Sequence, residues 1–83
     1  MFGVKVYGAD GCEDTRHARA FLERLGVSYE YVNVERDERA ALWVREHNGD
    51  KERSPTVDVA GQILCGPTDH ELTSALRERG LMA

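Results

Sequence analysis

The first 34 residues change their apolar rhythm twice, and this limits the chain to very few folds. Val4-Lys5-Val6-Tyr7 is built of the β-branched and aromatic residues that favour a strand. Gly-Ala-Asp-Gly at residues 8–11 then breaks the chain as a turn. From Cys12 to Leu25, Ala18, Phe21, Leu22 and Leu25 recur at i, i+3, i+4 and i+7, which is one face of a helix. Gly26 follows directly and suits a left-handed helix cap. Val27 to Val34 is again rich in Tyr and Val and reads as a second strand. A strand, helix and strand in succession close through a right-handed crossover, so these two strands pair in parallel.

The remaining residues complete the arrangement. A second helix is predicted from Asp37 to His47, with Ala40, Trp43, Val44 and His47 on one stripe and Asn48-Gly49 ending it. Residues 50–54 form a polar loop. Pro55 opens a third strand, Thr56 to Val59, and Ala60-Gly61 turns it into a fourth, Gln62 to Cys65. Gly66-Pro67 breaks the chain once more. Thr68 and Glu71 have capping-box spacing, and a third helix runs to Arg79 with Leu72, Ala75 and Leu76 facing inward. The order is β-α-β-α-β-β-α. The expected fold is an α/β domain with a mixed four-stranded sheet flanked by three helices. At 83 residues the chain has room for one such domain, spanning 1–83.

Composition removes whole classes of function. Hydrophobic residues make up 41% and charged residues 31%, values of a folded domain rather than a disordered one. No apolar run approaches the roughly 18 residues of a membrane span. Met1-Phe2-Gly3-Val4 leads straight into the first strand-like pattern without a basic leader, so a cytoplasmic location is expected. A net charge of −4 argues against nucleic acid and against an anionic membrane surface. Two cysteines do not make a secreted scaffold, and no Cys/His cluster has zinc spacing, so no metal is expected. A monomer is expected.

Cys12 is where chemistry is expected. It follows a turn and starts a helix, where unpaired N–H groups and the helix dipole favour an anion. A thiol so placed has a lowered pKa, and its thiolate attacks disulfide sulfurs. Thr15, three residues on, has the spacing to donate its hydroxyl to the sulfur, and Arg16 adds positive charge. Asp10, Glu13 and Asp14 oppose this, because nearby carboxylates raise a thiol pKa. Their sum is expected to cancel the helix end, about 0.3–1 kcal/mol for an exposed group, and to leave Cys12 less acidic than a catalytic cysteine of this kind usually is. The alternative, a small buried hydrophobe, fits a cysteine between Gly11 and Glu13 poorly.

Two further segments carry alternatives. Pro55 in Ser54-Pro55-Thr56 is either an ordinary trans proline opening a strand or a cis proline that leaves the Ser54 backbone available to an extended thiol peptide. Gly66-Pro67-Thr68-Asp69 is either plain helix capping or a site where a helix N-terminus takes a carboxylate and Asp69 an amine. Cys65 reads as a buried strand-end residue. It becomes a resolving partner only if its Cα comes within about 7 Å of that of Cys12. His17, His47 and His70 read as surface or packing residues, and Tyr7 and Trp43 as packing.

Taken together, these segments resemble the glutaredoxin family over nearly the whole chain. Val4 to Tyr7 with Cys12 is similar to its first strand and active-site cysteine. Ala18 to Leu22 and Gly26 to Tyr29 are similar to its first helix and second strand. Ser54-Pro55-Thr56-Val57 resembles its cis-proline segment, and Gly61 to Leu64 with Gly66 to Leu72 its last hairpin and glutathione-binding helix start. The resemblance implies a thioredoxin fold, a cis Pro55, and reduction of protein mixed disulfides with glutathione or an analogous small thiol as co-substrate. It implies Cys12, Thr15 and Arg16 as the catalytic group. It implies Ser54, Pro55, Gly66, Thr68 and Asp69 as the small-thiol site. The chain departs from the family in two places. Thr15 stands where the second cysteine of Cys-x-x-Cys belongs, so any mechanism at this motif is monothiol. Ala9 stands where a lysine often precedes the cysteine, and Lys51 or Arg53 is the expected substitute. Two other readings stand beside this one: a thioredoxin-fold binding or adaptor module without activity, favoured by the acidic residues round Cys12 and the missing lysine at Ala9, and an arsenate-reductase-like protein, which Cys12-x-x-x-Arg16 resembles. Iron–sulfur binding by a dimer is a fourth reading; the chain lacks the Gly-Phe-Ser of iron–sulfur monothiol members.

Overall fold

The computed structural model describes residues 3–47 and 55–82. Seven elements follow in the expected order: β1 (Val4–Gly8), α1 (Glu13–Arg24), β2 (Glu30–Asn33), α2 (Glu38–His47), β3 (Thr56–Val59), β4 (Gln62–Cys65) and α3 (Asp69–Glu78). The strands form one mixed sheet in the order β2-β1-β3-β4. β1 runs parallel to β2 and antiparallel to β3, and β3 is antiparallel to β4. The Asn48-Gly49 helix end and the loop at 50–54 lie outside the described residues.

The core follows from strand alternation. Val4, Val6, Val57 and Val59 all point to one face, in cross-strand register, and all are fully buried. Ala18 and Leu22 of α1 and Leu72, Ala75 and Leu76 of α3 complete that cluster. Tyr7 alternates to the opposite face, where Trp43 of α2 stacks on it at 4.6 Å between ring centroids.

β2 starts later than the sequence pattern indicates, at Glu30 rather than Val27. The cause is the way α1 ends. Gly26 has φ +72°, its N–H bonds the Glu23 carbonyl, and the Val27 N–H reaches back to Leu22. This is a Schellman close, in which the residue after the glycine packs down on the helix it terminates. Val27 therefore lies against the core as part of the helix exit and does not join the ladder.

The register gathers several ends at one edge of the sheet. β1 leaves at Gly8, β3 enters at Thr56 opposite Tyr7, and β4 leaves at Cys65 opposite Thr56. The N-terminus of α1 follows β1 after a four-residue turn, and that of α3 follows β4 after three residues.

Candidate active site

Cys12 occupies the N-cap of α1, with extended backbone (φ −85°, ψ 121°) and its carbonyl accepting the first helical bond, from Arg16. A Cys12 N–H bond to the Ala9 carbonyl at 3.1 Å closes the preceding turn. An N-cap side chain faces the N–H groups of the next two or three residues. Here that side chain is a thiol, and it is partly exposed rather than enclosed. Its pKa is lowered, first by the Thr15 hydroxyl, then by the Thr15 and Asp14 amides, all as hydrogen-bond donors to the thiolate.

Thr15 is held in place from behind. It is fully buried, and its Oγ1 accepts from the Ala9 N–H at 3.4 Å. Its side chain lies directly over the last residue of β1. A Cβ at Gly8 would fall 2.4 Å from Thr15 Oγ1 and 2.5 Å from Cγ2, so only glycine admits a threonine there.

The carboxylates do not raise Cys12 above an ordinary thiol: its pKa is lowered. Partial burial and the Asp14 charge do push the thiol up, but the hydrogen bonds outweigh them. Asp10 is engaged elsewhere: the Tyr31 hydroxyl donates to its Oδ1 at 2.8 Å. That phenol is pushed up to about 12, chiefly by burial and then by Asp10, so it remains a donor across the working pH range. Arg19 lies over the Tyr31 ring at 3.9 Å and donates to the Tyr29 hydroxyl, which bonds Glu23. Arg16 sits beside the same turn, its Nη1 3.5 Å from the Asp10 carbonyl oxygen.

A cleft of about 150 Å³ opens between α1 and the β3 and β4 ends, lined by Asp14, His17, Ala18, Pro55, Gly66 and Pro67, with Cys12 two residues before the first of these. Pro55 and Gly66 are joined by a 2.8 Å bond from the Gly66 N–H to the Pro55 carbonyl, and Gly66 has φ +57°. Thr68 and Glu71 form the reciprocal capping box, at 2.8 and 3.1 Å. The Thr68 amide holds the Glu71 carboxyl below its ordinary range. Asp69, the first residue of α3, is bound to His17 of α1, Nε2 to Oδ1 at 2.8 Å. Ser54, Lys51 and Arg53 lie outside the described residues, as does the Ser54–Pro55 peptide bond.

Cys65 is not the buried residue expected. It is exposed, because β4 is an edge strand and Cys65 is its last position. Neither cysteine is in a disulfide. Among the described residues no group of three or more His, Cys, Asp or Glu is placed to hold a metal ion, and no helix is long and apolar enough to cross a membrane.

Two site residues escaped the sequence reading. His17 was legible in part, since Asp14, His17 and Ala18 share a face by i, i+3, i+4 spacing. Tyr31 carries no sequence signal, because its partner Asp10 is 21 residues away.

A family model, Glutaredoxin, matches residues 4–64, well over half of the chain. The chain belongs to the glutaredoxin family. A thioredoxin-like protein crystallised in mutant form superposes with a TM-score of 0.81 at 26% identity, covering 93% of this chain and 97% of its own. The glutaredoxin of Archaeoglobus fulgidus gives 0.80 at 23%, with 93% and 88% covered. A buckwheat glutaredoxin in complex with glutathione gives 0.77 at 16%, with 98% and 82% covered. No curated protein sequence matches. The fold is thus the thioredoxin fold of glutaredoxins, and membership of the family points to thiol–disulfide oxidoreductase activity.

Proposed function

We propose that this chain reduces mixed disulfides between proteins and a low-molecular-weight thiol, by a monothiol mechanism through Cys12. The Cys12 thiolate attacks the small-thiol sulfur of the mixed disulfide. The protein thiolate leaves, and Cys12 carries the small thiol as a disulfide. A second small-thiol thiolate then attacks that adduct, releasing the oxidised small-thiol dimer and restoring the Cys12 thiolate. Per turnover one mixed disulfide and one free small thiol give one protein thiol and one oxidised small-thiol dimer.

One observation carries this reading. Cys12 stands at the N-cap position of α1, partly exposed, and its thiol pKa is lowered, first by the Thr15 hydroxyl and then by the Thr15 and Asp14 amides. Thr15 stands where a second cysteine would allow a dithiol route, so regeneration falls to an external thiol. Glutathione or an analogous thiol is the co-substrate, in keeping with the glutathione complex of the buckwheat relative. Pro55, Gly66, Thr68 and Asp69 are the residues proposed to hold it, with Ser54, Lys51 and Arg53 assigned to the same role from the sequence alone.

The test is a mixed-disulfide reduction assay with two variants. Cys12→Ser abolishes turnover and Cys65→Ser retains it. Equal activity of the two variants would refute the mechanism.

A further inference from the structure

We infer that His17 is a specificity-determining residue, turning the cleft against small thiols that carry a free ammonium group and toward those whose amine is acylated. The inference rests on the small-thiol exchange proposed above, in which Asp69 is the group that receives an amine.

Asp69 is not waiting for a ligand. Its Oδ1 is bound by His17 Nε2 at 2.8 Å, across 52 residues of sequence. A carboxylate oxygen is only an acceptor, so Nε2 must carry the hydrogen in this contact. The ring is oriented from its other side, stacked parallel to Phe21 at 6.5 Å between centroids and 5° between planes. The same His17 lines the cleft beside Pro55 and Gly66.

An incoming ammonium therefore meets a carboxylate with one oxygen already taken. When the imidazole is protonated, the pair is neutral as a unit, and the imidazolium repels a second cation. When it is neutral, its N–H still occupies Oδ1. An acylated amine brings no charge and suffers neither loss. Asp14, a carboxylate that lines the cleft, stands one turn earlier on α1 than His17 and is present in every variant. It therefore drops out of a comparison between variants.

The pair is exposed, at 63% for His17 and 45% for Asp69, so the effect is that of a surface ion pair, about threefold. The experiment measures kcat and KM for turnover regenerated by glutathione and by N-acetylglutathione, which differ only in the ammonium group. It compares wild type, His17→Ala, Asp69→Asn and the double variant. His17→Ala raises the kcat/KM ratio of glutathione to its N-acetyl form by about threefold, through KM for glutathione. Asp69→Asn in the His17→Ala background removes that gain. A merely structural role for His17 would move both thiols together. An unchanged ratio in His17→Ala, or a gain that persists without Asp69, overturns the inference and leaves the exchange reaction standing. Failure of wild type to turn over with either thiol overturns both.

Discussion

Thr15→Val isolates the group that does most to make Cys12 acidic. Valine keeps the shape of threonine and replaces the hydroxyl by a methyl, so packing over Gly8 is retained while the donor to sulfur is lost. A hydrogen bond to a charged group contributes about 1.5–3 kcal/mol when well sheltered. Sulfur is a weak acceptor and Cys12 is partly exposed, so about 1 kcal/mol is the appropriate scale here. That lowers the thiolate-to-thiol ratio about fivefold at any pH below the thiol pKa. The assay is the rate of iodoacetamide alkylation against pH, in the Cys65→Ser background so that one thiol reports. The midpoint of the profile moves up. The neutral-pH rate falls less than fivefold, because a more basic thiolate is intrinsically more nucleophilic, which returns about a factor of two. Thr15→Ser keeps the donor and stays near the wild-type midpoint. A folded Thr15→Val protein with the wild-type midpoint would refute the assignment of the hydroxyl.

Three further outcomes are expected. Gly8→Ala forces a methyl to within 2.4 Å of a buried, β-branched Thr15, and costs about 1–3 kcal/mol in denaturant unfolding while moving the Cys12 alkylation midpoint upward. The Cys12 pKa is depressed in the fold, so between its folded value and the free-thiol value of about 8.5 the unfolded chain binds more protons than the folded one. Stability gained from Cys12 therefore rises with pH across that window and is lost as pH falls through the folded pKa; unfolding free energies of wild type and Cys12→Ser, followed across the window, should diverge in that sense. Thr68→Ala removes the hydroxyl half of the α3 capping box and lowers stability by about 1 kcal/mol, read from the urea midpoint at unchanged slope.

Local signals wrote most of the fold. Gly26 stopped α1, Ala60-Gly61 turned the hairpin with both residues at positive φ, and Thr68 with Glu71 started α3, each through hydrogen bonds within a few residues. The misreading of Val27 as strand came from the same cap. A valine after a glycine satisfies strand propensity and a Schellman close equally well, and only the core packing decides between them. Cys65 was misjudged because hydrophobic character indicates burial only inside a sheet, whereas its position as the last residue of an edge strand depends on strand order.

At the site, Cys12 and Thr15 were legible because a helix start and a three-residue spacing are local. The sign of the electrostatic balance was not. Counting Asp10, Glu13 and Asp14 treats all three as facing the sulfur, whereas Asp10 is tied to Tyr31 from a neighbouring strand. His17 and Asp69 meet only because α1 and α3 share one face of the sheet.

The most direct measurement is the position of the covalent intermediate. Reduced protein is incubated with the disulfide of glutathione, quenched with acid and mapped by peptide mass spectrometry. The account predicts one small thiol attached at Cys12, and in Thr15→Val only about a quarter of the Cys12 sites modified at the time when wild type is half modified, at a pH below the thiol midpoint. Modification at Cys65 with Cys12 left as a free thiol would contradict it.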